Sequence, residues 1–152
     1  MLRPTLLAAF TLLIPAIALA QTVESVAGIY TAVTAPAFGD KPRGMLILSS
    51  DGRYTAIITR AMLPKIAAGL RSRGTADEYK AIVDGSVAHY GRYSIDDSGK
   101  TISLHIEVST FANWEGATQK RQLKISGDLL SYTVTQRSND GPANEVVWRR
   151  AK

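Results

Sequence analysis

The chain has 152 residues, with 18 Lys+Arg against 13 Asp+Glu, a formal net charge of +5 and no cysteine. Lacking cysteine, it has no disulfide, Cys-zinc site or thiol chemistry, so an exported form must rely on its hydrophobic core. The positive charges are dispersed and cluster only at Arg149-Arg150 and Lys152, whereas a nucleic-acid footprint needs a patch or stripe.

The first twenty residues read as a secretory leader. Arg3 supplies a short positive region, residues 6–17 an apolar one, and Ala18-Leu19-Ala20 a small-residue cleavage site before Gln21. The apolar stretch is interrupted by Pro15 and is too short for a permanent span, which takes roughly 20 apolar residues. The expectation is a signal peptide over residues 1–20 and a single domain over 21–152, periplasmic or secreted. No stable membrane span is expected after leader removal. A domain of that size is long enough to bury a core of its own.

Strand signals dominate residues 25–150. Residues 26–34 are rich in β-branched and aromatic side chains, and residues 44–49 form a compact apolar run. Ser50-Asp51-Gly52 marks a hairpin turn into residues 53–60. Residues 90–95 and 101–109 flank Asp97-Ser98-Gly99, and residues 120–125 and 129–137 flank Ser126-Gly127-Asp128. Asn139-Asp140-Gly141-Pro142 then leads into residues 145–150.

One segment breaks this grammar. Thr75-Ala76-Asp77-Glu78 is a capping box, followed at helical spacing by Tyr79, Ile82, Val83, Ser86 and Val87. Pro64 opens a shorter predicted helix through Ile66, Ala67 and Leu70. Together these features predict an all-β fold: roughly eight antiparallel strands closed into a barrel, with a helical insertion between strands 3 and 4. Closure removes the exposed strand edges that invite aggregation.

Gly28-Ile29-Tyr30 is similar to the Gly-x-Trp opening of lipocalins, with Tyr in place of Trp. Arg149 or Arg150 stands where lipocalins lay an arginine across that aromatic. Further pieces are Pro42-Arg43-Gly44 with Leu46, Asp51-Gly52-Arg53-Tyr54, Tyr90-Gly91-Arg92-Tyr93 and His105-Ile106-Glu107. Asn113-Trp114-Glu115-Gly116, Gln119-Lys120-Arg121 and Val147-Trp148-Arg149-Arg150 complete the set. In this order they resemble the bacterial and fungal lipocalin-like domain family over residues 25–150. That resemblance implies a barrel with an internal cavity for a small organic molecule.

Strand parity is the test for site residues. In residues 101–109, Ile102, Leu104, Ile106 and Val108 share one face, and Ser103, His105 and Glu107 the other. Alternation usually turns the polar face to water. The other reading turns His105 and Glu107 into a polar cavity, with the helical pair covering the aliphatic face. The inward reading is the expectation, with Arg121 in salt-bridge reach of Glu107, because residues 101–109 and 119–125 are predicted neighbours.

Arg121 lies in step with Leu123 and Ile125, and Arg60 with Ile58 and Ala56, so each puts a charge on an apolar face. The plain alternative is a strand-end arginine reaching into water. Tyr93 shares a face with Ile95, Trp114 is a lid aromatic or a barrel-end plug, and Trp148 reads as core. The expected ligand-binding set is therefore Arg60, Tyr93, Trp114 and Arg121.

The first functional expectation is an exported barrel that binds a small, partly apolar organic molecule, its polar or anionic group held by paired arginine donors. The second is a cofactor-free isomerase, cyclase or hydro-lyase, with His105 as general acid or base oriented by Glu107, and Tyr93 or Arg121 stabilising developing negative charge. A structural, ligand-free envelope domain is the third. His89 and His105 lack metal-ligand spacing, so no metal and no cofactor are expected; a haem on one histidine is the remaining alternative. No Gly-x-Ser-x-Gly elbow or phosphate loop is present, and oligomeric state is not legible.

Overall fold

The computed structural model describes residues 20–135 and 141–152. The expected leader lies outside the described residues except for Ala20, as do Asn139 and Asp140 of the last turn and the end of the 129–137 strand. Eight strands are described: β1 (Gly28–Thr34), β2 (Arg43–Leu48), β3 (Arg53–Thr59), β4 (Ser86–Ile95), β5 (Thr101–Ser109), β6 (Thr118–Ser126), β7 (Leu129–Val134) and β8 (Asn144–Arg150). Each pairs antiparallel with its sequence neighbours, and β1 closes on β8 from Tyr30↔Arg150 to Thr34↔Val147. Among the described residues no helix is long and apolar enough to cross a membrane.

Alternate side chains fill the interior, as an eight-stranded barrel of this width requires. Tyr30, Leu46, Leu48, Ile102, Leu104, Leu130 and Trp148 are almost completely buried. The hairpin at Gly52 forms as the turn chemistry predicts, with the Gly52 amide donating to the Ser49 carbonyl at 3.1 Å and φ at 82°. One end of the barrel is plugged by a short helix, α1 (Val23–Val26), capped by Thr22 and therefore not part of the first strand.

The second helix, α2 (Ala76–Asp84), lies between β3 and β4 in the chain. Its capping box is present: Thr75 Oγ1 accepts from the Glu78 amide at 3.2 Å, and Glu78 Oε2 accepts from the Thr75 amide at 2.7 Å. Glu78 Oε1 also accepts from the Ala67 amide at 2.9 Å, tying down the preceding loop. The helix is shorter than its periodicity suggests. It stops before Gly85, and Ser86 and Val87 pair with Thr59 and Ile58 instead, because a barrel strand satisfies their backbone better than one more turn. No α-helix follows Pro64; a 3-10 turn at Arg71–Arg73 is all the regular structure there.

Two expectations about β5 are corrected. Ile102, Leu104 and Ile106 face the core, while His105 and Glu107 are exposed on the outer wall. The core takes the aliphatic face because α2 does not cover it, and the polar side chains lose nothing by staying in water. The register across β5 and β6 also differs from that required, since Ile102 faces Arg121 and His105 faces Thr118. Glu107 lies beyond that ladder and pairs with Arg92 of β4 at 3.5 Å. A bulge at Tyr90/Gly91 then shifts the parity, leaving Val108 exposed and Ser109 buried. Gly91 permits the close approach, since a Cβ there would stand 2.0 Å from the His105 carbonyl oxygen.

Candidate functional site

The end of the barrel away from α1 opens into a cavity of about 660 Å³. Its walls come from the ends of β3, β4, β6, β7 and β8, with Phe38, the Thr110–Trp114 loop and Ile82 and Val83 of α2 at the mouth. Strand alternation delivers each inner side chain: Ile58 from β3, Val87 and His89 from β4, Arg121 from β6, Tyr132 from β7 and Val146 from β8.

Arg121 is the unusual member. It is only 5% exposed, and its Nη2 donates to Oε1 of Gln119, itself buried, at 2.5 Å. Its Cζ lies 4.7 Å from the centroid of the Tyr132 ring. Among the described residues no ion pair engages it. A guanidinium carries five N–H donors, so a neutral amide and an aromatic face leave much of its donor capacity unused and supply no opposite charge.

Beside it, the Tyr54 hydroxyl lies 3.0 Å from His89 Nδ1. Burial, helped by the neighbouring Arg121 charge, pushes the His89 imidazole down to about 3. The ring is therefore neutral at physiological pH, one nitrogen donating and the other accepting. Burial likewise raises the Tyr54 phenol, with Arg121 opposing the rise. His89 meets Tyr54 edge-on at 5.5 Å and Trp114 at 5.8 Å, and Trp114 meets Phe111 at 5.5 Å. This aromatic file runs from the interior to the mouth. At the mouth stand Arg60, Arg71, Lys80 and Asp84, the last two paired along α2.

The residues expected from the sequence to form the site separate into groups. Arg121, Arg60 and Trp114 line this cavity: Arg121 inside, Trp114 half-buried at the mouth and Arg60 exposed there. Tyr93 does not join them. It lies at the plugged end, its hydroxyl donating to the Ser49 carbonyl at 2.8 Å and the Val23 carbonyl at 3.2 Å. His105 and Glu107 stand on the outer wall, where His105 Nδ1 is 3.1 Å from Thr118 Oγ1. The isomerase, cyclase or hydro-lyase reading needs His105 and Glu107 together with Tyr93 or Arg121, and the structure places both of them on the opposite side of the barrel wall from those two buried side chains.

His89, Tyr54, Tyr132 and Gln119 are the site residues that sequence reasoning misses. Parity is their signal: His89 is in step with Val87 and Tyr93, and Tyr54 with Ala56 and Ile58. Among the described residues no three His, Cys, Asp or Glu side chains gather as a metal site.

The plugged end has an arginine of its own. Arg150 Cζ lies 4.8 Å over the Tyr30 ring, with Nη1 donating to the Ala27 carbonyl at 2.6 Å and Nη2 to the Ser25 carbonyl at 3.1 Å. The Tyr30 hydroxyl donates to the Val26 carbonyl at 2.6 Å. Of the two tail arginines, Arg150 crosses the first-strand aromatic.

A family model described as a lipocalin-like domain matches residues 21–151. A 4'-hydroxy-3'-methoxypropiophenone carrier protein of Aspergillus oryzae is 32% identical over 67 residues, covering 40% of this chain and 60% of that relative. The match therefore spans less than two thirds of the relative's length.

Proposed function

This chain belongs to the lipocalin-like domain family, and from that premise we propose that it is a carrier of a small, partly apolar organic molecule bearing a polar oxygen group. The observation that carries this reading is Arg121, buried inside a cavity open at one end and, among the described residues, unpaired by any carboxylate. A buried cation without a counter-charge costs several kcal/mol, which a fold keeps only where something offsets it. The cavity volume of about 660 Å³ suits a ligand of one or two rings. The Aspergillus relative, named for carrying an aryl ketone, supports the same class of cargo.

We also propose that residues 1–20 are removed and that the domain acts in the periplasm or outside the cell. The start of the family match at residue 21 supports that boundary. Intact mass of the protein from fractionated source cells tests it: a mature form beginning at Gln21 in the exported fraction is expected.

Calorimetric titration with 4'-hydroxy-3'-methoxypropiophenone and related aryl ketones tests the carrier reading. One ligand per chain is expected, with quenching of Trp114 fluorescence that disappears in Trp114→Phe. No heat and no quenching across the panel would overturn it.

A further inference from the structure

Resting on the carrier reading, we propose that the cavity holds its cargo as an anion: an aromatic molecule with an acidic oxygen, a phenol or a carboxylic acid, bound as its conjugate base on the Arg121 guanidinium. The first ground is charge. From the strands around Arg121, the groups that face it are Tyr54 of β3, His89 of β4, Ile102 of β5 and Tyr132 of β7, with Gln119 on its own strand. None supplies a negative charge. Glu107, the carboxylate whose field reaches Tyr54, stands on the outer wall against Arg92.

The second ground is the entrance. Of the charged side chains lining the mouth, Lys80 and Asp84 satisfy each other, leaving Arg60 and Arg71 as the net charge there. A positive mouth over a positive interior raises the local concentration of anions. The third ground is shape. Phe111 and Trp114 at the mouth and Tyr132 inside offer flat apolar faces to a ring whose oxygen reaches Arg121.

Two effects compete for the bound acid. Burial of an oxyanion favours its protonated form, and a neighbouring cation favours the ionised one. Here the cation prevails, because folding has already stripped Arg121 of water and a ligand charge is what offsets that loss. His89 stays neutral over the working range, so the pH dependence of binding near neutrality belongs to the ligand. Affinity falls as pH drops from the free ligand's ionisation to that of the bound ligand.

The test is absorbance titration of 4'-hydroxy-3'-methoxypropiophenone and its 4'-methyl ether into the full chain across neutral pH. Para-acyl phenolates absorb at longer wavelength than their phenols, so the bound species is read directly. The bound phenol should ionise at least about one pH unit below the free phenol. The ether, which cannot ionise, should bind about tenfold more weakly or worse. Arg121→Lys should keep the shift and Arg121→Gln abolish it. A bound phenol with an unshifted or raised midpoint, or an ether of equal affinity, overturns the anion proposal and leaves the carrier reading standing. If neither compound binds, both fall. The phenol and ether arms use the unaltered protein, so they decide even if Arg121→Gln does not fold.

Discussion

Arg150 and Arg121 lie over tyrosine rings at opposite ends of one barrel, at 4.8 and 4.7 Å from the ring centroids. The stacking geometry is nearly the same, and what surrounds it is not. Arg150 spends its fork on two backbone carbonyls of the segment that plugs the barrel, so its donors clamp chain to chain. Arg121 donates to one neutral amide and lines a cavity. The same residue pair is a structural latch where protein acceptors are at hand and, on the carrier reading proposed above, a ligand site where they are withheld. The saturation of the guanidinium separates the two, and so does burial: Arg121 is buried, whereas Arg150 is only half-buried.

Acid is the widest test of that contrast. The open end buries a histidine whose folded ionisation lies near 3, against an ordinary value of about 6.5 in the unfolded chain. Between those values the unfolded state binds the extra proton, so stability falls as pH falls, by up to about 1.4 kcal/mol per pH unit. Between about pH 7 and pH 4.5 the protein should lose roughly 2–3 kcal/mol more than His89→Phe does, read from urea midpoints. Parallel profiles for the two proteins would mean that water reaches His89.

At the plugged end, Arg150→Met removes two charge-assisted hydrogen bonds to carbonyls and should cost about 2–3 kcal/mol in chemical denaturation. Ligand affinity of the folded fraction should not change, because Arg150 touches nothing in the cavity. Loss of binding in this variant would show the two ends to be coupled.

Arg121→Met should reverse both outcomes. Removing an unpaired buried charge leaves stability unchanged or raised by about 1 kcal/mol, while affinity for an acidic aryl ketone falls about tenfold or more. A strongly destabilised Arg121→Met with intact binding would make the two arginines equivalent and end the comparison.

Smallest are the effects on the outer wall. His105→Gln, Glu107→Gln and Arg92→Leu should each shift stability by less than about 0.5 kcal/mol and leave binding untouched, since exposed ion pairs contribute little. A large effect of His105→Gln on any turnover would bring back the enzymatic reading.

Much of this molecule is legible along the chain. The strands, the Gly52 and Gly127 turns and the Thr75–Glu78 cap follow from local rules of alternation, positive φ and orphan amides. Arg121 shows itself by standing in step with Leu123 and Ile125, and His89 carries the same signal between Val87 and Tyr93. Other points cannot be read in that way. Alternation divides β5 into two faces without saying which is inside, and the hairpin register that would place Glu107 beside Arg121 depends on a loop of irregular backbone. The end of α2 is a contest between one more helical turn and the β3 ladder, which local periodicity does not see.

The sequence by itself determined the barrel, its order of strands and an arginine on an apolar face, because period and turn chemistry act between near neighbours. Tertiary structure alone decided that Tyr93 belongs to the plug, that His105 and Glu107 face water, and that Arg121 opens on a cavity while Arg150 clamps a plug. These outcomes depend on closing β1 against β8 and on the bulge at Tyr90/Gly91. Both join residues far apart in the chain, and only closure sets which acceptors each guanidinium can reach.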